Sequence, residues 1–141
     1  MITIEMLEPP RVVELWPELQ PMIASACKGH AIAEDEITAE DVFVMSQTDS
    51  CVIFAGFEDC ELSMVMALQF FMTGDAKTAD VIVMAGKGLM KFKNAYWPSI
   101  LGWLRANGVK YVDAYAPDRL AKIYMNKFGF DKSCAYVRMT L

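Results

Sequence analysis

The sequence contains one histidine, His30, and four cysteines, Cys27, Cys51, Cys60 and Cys134, with no Cys-x-x-Cys pair among them. Metal clusters and dithiol redox centres usually show short paired spacing, so no metal site is expected. A single histidine leaves a Ser-His-Asp or Cys-His triad one possible geometry, with no motif around it. Beside Gly29, His30 reads as a loop residue after a helix. Basic residues are the minority: 13 Lys and Arg against 18 Asp and Glu give a net charge of −5 and a pI near 4.8. Nucleic acid needs a basic footprint, so it is not expected as a partner. No apolar run approaches the roughly 20 residues that span a bilayer, which argues against a membrane partner. The start, Met1-Ile2-Thr3-Ile4-Glu5, lacks the basic and apolar regions of a signal peptide, so the expectation is an intracellular protein.

What is present is apolar. Hydrophobic residues make up 55% of the 141 and mean hydropathy is +0.25, enough for a single domain, 1–141, with an extensive core. Thr3 to Leu7 reads as a strand, ended by Pro9-Pro10. Val12, Leu15, Trp16, Leu19, Met22 and Ile23 fall at helical spacing, and Pro17 and Pro21 divide that stretch into two short helices. Ala33 to Glu40 is acidic, and Thr38 with Asp41 resembles a capping box opening a helix through Met45. Cys51–Phe57, Leu62–Met72 and Ala79–Met84 form an antiparallel meander with turns at 58–61 and 73–77. Ala85-Gly86-Lys87-Gly88 follows, then a helix from Leu89 to Asn107 that Pro98 kinks. Strand, helices, three strands, helix, strand, helix, strand is an α/β (α+β) order. It gives a mixed, mostly antiparallel sheet with helices on both faces.

The last third is the most telling. Gly108 to Tyr115 enters a buried strand, Pro117 opens a helix carrying Ala121, Ile123 and Tyr124, and Ala135 to Met139 alternates as a final strand. With Tyr124-Met125-Asn126-Lys127-Phe128-Gly129-Phe130, this ending resembles the GNAT superfamily of acetyl-coenzyme A-dependent N-acetyltransferases. The resemblance implies a V-shaped splay between the fourth and fifth strands, in which the pantetheine arm bonds to the fourth strand's backbone. Met84, Ala85, Gly86, Lys87 and Gly88 are then the acetyl-CoA-binding residues. The pyrophosphate rests on the N-terminus of the next helix, where N–H groups are unpaired and the dipole is positive. The family marks that helix start with Arg or Gln, two residues, Gly, one residue, then Gly or Ala. In Gly88-Leu89-Met90-Lys91-Phe92-Lys93 that pattern is not met, and counting back from Gly108 leaves Gly86 and Gly88 upstream of it. Lys87, Lys91 and Lys93 still bring positive charge.

Acyl transfer to an amine needs a base for the nucleophile, a polarised carbonyl and an acid for the thiolate. The resemblance makes Tyr124 the acid; the alternative is a core tyrosine with a locally satisfied hydroxyl. Asp80, Glu61 and Asp113 lie on or beside the cleft strands as bases, and Glu34, Asp35, Glu36 and Glu40 form an acidic rim. The stretch Gly88–Phe92 with Trp103 is similar to a GNAT-like branch encoded by tailed bacteriophages. Two functions follow from these resemblances. One is a virion or morphogenesis component with a degenerate acetyl-CoA motif and little catalysis, contacting phage structural proteins or itself, in the host cytoplasm or the virion. The other is an acetyl-CoA-dependent N-acetyltransferase acting on a small amine or a protein amino group, in the cytoplasm.

Overall fold

The computed structural model describes residues 1–30, 37–116, 118–133 and 137–141. Among these residues, five strands stand side by side in chain order: β1 Ile2–Leu7, β2 Cys51–Glu58, β3 Glu61–Thr73, β4 Ala76–Gly86 and β5 Val109–Asp113. Neighbours are antiparallel from β1 to β4, and β4 and β5 run parallel. A parallel pair needs a crossover, which α3, Leu89–Ala106, supplies. Helices α1, Pro9–His30, and α2, Ala39–Gln47, precede β2; α4, Asp118–Ile123, and a π-helical turn, Tyr124–Phe128, follow β5.

Alternate residues of the middle strands feed two apolar layers. Ile53, Ala55, Val65, Ala67 and Val83 pack with Leu19 and Ile23 of α1 and Val42 of α2. Phe54, Met64, Met66, Leu68 and Met84 pack with Phe92, Ile100 and Leu104 of α3 and with Tyr124 and Phe128. Strands covered on both faces need apolar side chains in both directions, which is why β2 to β4 read as continuous apolar runs.

Local signals and tertiary packing agree at α2 and conflict at α1. The capping box is formed: Asp41 N–H donates to Thr38 Oγ1 at 3.2 Å, and Thr38 N–H donates to Asp41 Oδ2 at 2.9 Å. By contrast, α1 runs unbroken through Pro17 and Pro21 to His30, correcting both the division into two helices and the reading of His30 as a loop residue. The two prolines are exposed and one turn apart, so the carbonyls they orphan, on Val13 and Pro17, face solvent. The opposite face buries Val12, Leu19 and Ile23 completely, and that burial holds the helix together.

The C-terminal region also departs from expectation. Of β5 only Val109 is buried, while Tyr111 is 51% exposed, so this strand forms the sheet's outer edge among the described residues. Ala135 and Tyr136 of the expected last strand lie outside the described residues, as does Cys134. Val137, Arg138 and Met139 belong to no strand.

Candidate active site

Strands β4 and β5 share the rungs Lys77↔Val109, Thr78↔Tyr111, Ala79↔Val112 and Asp80↔Asp113. There β5 ends, whereas β4 continues from Val81 to Gly86, paired with β3 on its other edge. The expected splay is therefore present and opens after Asp80. Alternate residues of an extended strand aim N–H and C=O at each edge, so Val81 to Gly86 line the gap with unladdered backbone groups.

A bulge shapes this stretch. Leu68 pairs with Val81 and Ala67 with Val83, leaving Ile82 as the extra residue. A bulge re-aims the side chains around it, and here Val81 packs on the α3 side while Val83 packs on the α1 side.

Asp80 stands at the apex of the gap. Its neighbours Ala79 and Val81 both belong to the α3-side layer, so the strand's alternation directs Asp80 toward the α1 face. Its Oδ1 is buried with no hydrogen-bond partner among the described residues. Burial, and then the negative charge of Asp113 opposite, push its carboxyl up to about 6. Of the bases weighed from sequence, Glu61 is exposed at the first position of β3, and Glu34 to Glu36 of the acidic rim lie outside the described residues. Asp80 and Asp113 are the two that the fold brings together.

At the gap's other end, Ala85 and Gly86 are still in β4, opposite Val65 and Met64. Gly86 has φ of 113° and Gly88 of 71°, both in the region that favours glycine. A Cβ on Gly86 would meet the Ser63 carbonyl oxygen, so only glycine allows β4 to press this closely on β3. Ser63 is itself a bulged residue, between the pairs Gly56↔Met64 and Phe57↔Leu62. It grips Lys87 twice: Lys87 N–H donates to the Ser63 carbonyl at 2.8 Å, and Ser63 Oγ donates to the Lys87 carbonyl at 3.0 Å.

Gly88 is the N-cap of α3, directly at the helix start rather than upstream of it as the sequence count has it. Its carbonyl accepts from the Lys91 and Phe92 N–H groups, and no side chain caps the helix. The N–H groups of Leu89 and Met90 precede the first intrahelical bond and point out of the helix end.

Tyr124 opens the π-helical turn, 5% exposed, in the same layer as Val81 and Met84. Its ring meets Phe128 edge-on at 5.9 Å and Phe130 at 5.5 Å. Trp97 of α3 anchors the turn by donating its indole N–H to the Phe128 carbonyl at 3.1 Å. Burial pushes the Tyr124 phenol up to about 12. Tyr124 thus lies in the α3-side layer with Val81 and Met84, while the alternation of β4 directs Asp80 to the α1 side.

Sequence reasoning named Tyr124, Asp80 and the 84–88 segment but missed Ser63, Ile82 and the pairing of Asp80 with Asp113. All three depend on strand register, for which a single sequence carries no signal. No family model matches the chain, and no curated protein matches it. Solved structures do. An aminoglycoside acetyltransferase from an uncultured soil metagenomic sample superposes with TM-score 0.70 at 11% identity, over 100% of this chain and 99% of that one. A predicted acetyltransferase from Clostridium acetobutylicum, solved with acetyl-CoA, gives 0.71 at 8% identity, over 99% and 96%. Ribosomal-protein-alanine N-acetyltransferase from Brucella melitensis biovar Abortus gives 0.66 at 10% identity, over 100% and 98%. At these identities the likeness is one of architecture, and by that architecture the chain has the GNAT acetyltransferase fold.

Proposed function

We propose that this protein is an acetyl-CoA-dependent N-acetyltransferase acting on a primary amine. The observation that carries the reading is the open edge of β4, with a half-buried carboxyl at its apex and an uncapped helix start at its mouth. The residues fit the cofactor: the edge from Val81 to Gly86 would hold the pantetheine arm, and the turn Gly86–Gly88 with the first turn of α3 would receive the pyrophosphate. When bound, acetyl-CoA supplies an acyl group already activated as a thioester.

The chain's own groups then divide the proton traffic. Asp80, on the α1 side, takes the proton from the incoming amine as its nitrogen bonds to the acyl carbon. Tyr124, on the α3 side, would hold the proton that the departing thiolate takes up, so that an amide and a free thiol result. A phenol held up near 12 stays protonated at neutral pH, the form an acid requires. A carboxyl at about 6 is ionised there yet basic enough to accept a proton.

A second reading is a virion or morphogenesis component of a tailed bacteriophage with little or no catalysis. It is favoured by Leu89 and Met90 at the helix start, where a small residue would ease the approach of a pyrophosphate, and by Val137 and Met139, 87% and 82% exposed. Titration with acetyl-CoA separates the two. A ligand at 100 times its dissociation constant adds about 2.7 kcal/mol of stability, so the enzyme should melt several degrees higher with the cofactor present. An unchanged melting temperature at millimolar acetyl-CoA removes the enzyme reading and leaves the assembly reading.

A further inference from the structure

The hairpin turn between β2 and β3 touches the mouth of the gap. Glu58, the last residue of β2, accepts from Lys91 Nζ through Oε1 at 2.9 Å. Its Oε2 lies 4.0 Å from where a Cβ on Gly88 would stand. Lys91 belongs to the first turn of α3, whose start no side chain caps. A carboxylate therefore already sits beside the positive end of this helix, where the dipole favours an anion. The next residue, Asp59, is engaged elsewhere, with the Met1 ammonium at 2.8 Å. Glu58 is thus the acid that faces α3.

We propose that Glu58 is a built-in competitor for the anion site at the start of α3, holding Lys91 beside the helix end until a phosphate displaces it. The proposal rests on the acetyl-CoA reading above. Coenzyme A brings several negative charges to this turn, and a fixed carboxylate beside it repels them while neutralising the nearest ammonium. Lys91 is 61% exposed and Glu58 38%, so the pair is weak and can open. The contact sets affinity instead of forbidding binding. Lys91 changes partners when it opens, turning from carboxylate to phosphate, which a flexible ammonium does readily.

Calorimetric titration of the full chain with coenzyme A, at low and high salt, tests this. Glu58→Gln is expected to bind about three- to tenfold tighter than the parent at low salt, with the gap closing at high salt as screening removes the repulsion. Glu58→Asp, which draws the carboxylate back from Gly88, should move affinity the same way by less, and covers the case in which the glutamine variant does not fold. Lys91→Met should bind more weakly than the parent. If Glu58→Gln binds equally or more weakly while the parent binds measurably, the competitor proposal is overturned and the acetyl-CoA reading stands. If neither chain binds coenzyme A at millimolar concentration, both fall together.

Discussion

At the mouth of the gap the Glu58 carboxylate has an ammonium 2.9 Å away; at the apex Asp80 has one oxygen with no partner and a second carboxylate, Asp113, across the ladder. The two sites lie at opposite ends of the same stretch of β4 and treat negative charge in opposite ways. A compensated surface pair contributes little to stability and asks nothing of its surroundings. An uncompensated, desolvated carboxyl costs stability, and the fold tolerates it only where its neighbours fix it in place. The difference separates a tunable contact from a candidate for chemistry, and it can be tested from both ends.

The largest expected effect is at the apex. Asp80→Asn should lower turnover of acetyl-CoA with an amine by about 100- to 1000-fold, with little change in cofactor affinity. In the parent, turnover should fall as pH drops below about 6, following protonation of Asp80. A variant retaining full turnover would make the apex structurally odd and chemically idle.

Next comes the packing at the mouth. Gly86→Ala places a Cβ against the Ser63 carbonyl and 2.6 Å from Met64 Cα, on a backbone with φ of 113°. It should destabilise the protein by about 2–4 kcal/mol, read as a lower midpoint in urea. Near-parental stability would mean that β3 and β4 yield more than their bulges suggest.

The smallest effect sharpens the contrast most. Asp80 holds its proton more tightly when folded than when unfolded, so its charging opposes folding. The penalty is absent below the unfolded value of 3.8, builds as pH rises through about 6, and persists above. Asp80→Asn should therefore stabilise the protein at pH 8 by about 1–2 kcal/mol, after discounting for the water that still reaches the side chain, and should be neutral near pH 3.5. A substitution that removes activity while adding stability marks a functional residue. One that removes both marks a structural one.

The sequence was legible where signals are local. Thr38 and Asp41, three residues apart, announce their own cap, and the apolar runs of β2 to β4 announce a sheet covered on both faces. Tyr124 was named through the resemblance carried by the ending Tyr124–Phe130, in which Gly129 caps the π-helical turn in the left-handed region at φ of 83°. It failed where distant contacts outweigh local preference. Pro17 and Pro21 argue for a break that the buried face of α1 overrides. The apolar pattern of β5 suggests burial on both sides, yet its position at the edge leaves Tyr111 half exposed. The apex was hardest to read, because Asp80 and Asp113 meet only once two strands align, and Ile82 and Ser63 become bulges only against a partner strand.

The double grip of Ser63 on Lys87 has a consequence for ligand arrival. Because both backbone groups of Lys87 are already bound to β3, the loop between sheet and helix has little freedom left to surrender. An anion settling there, as proposed, would meet a loop shaped in advance, and its affinity would carry little ordering penalty at that loop. Selectivity at this position then comes from charge and side-chain bulk, both of which single substitutions can alter without rebuilding the chain around them.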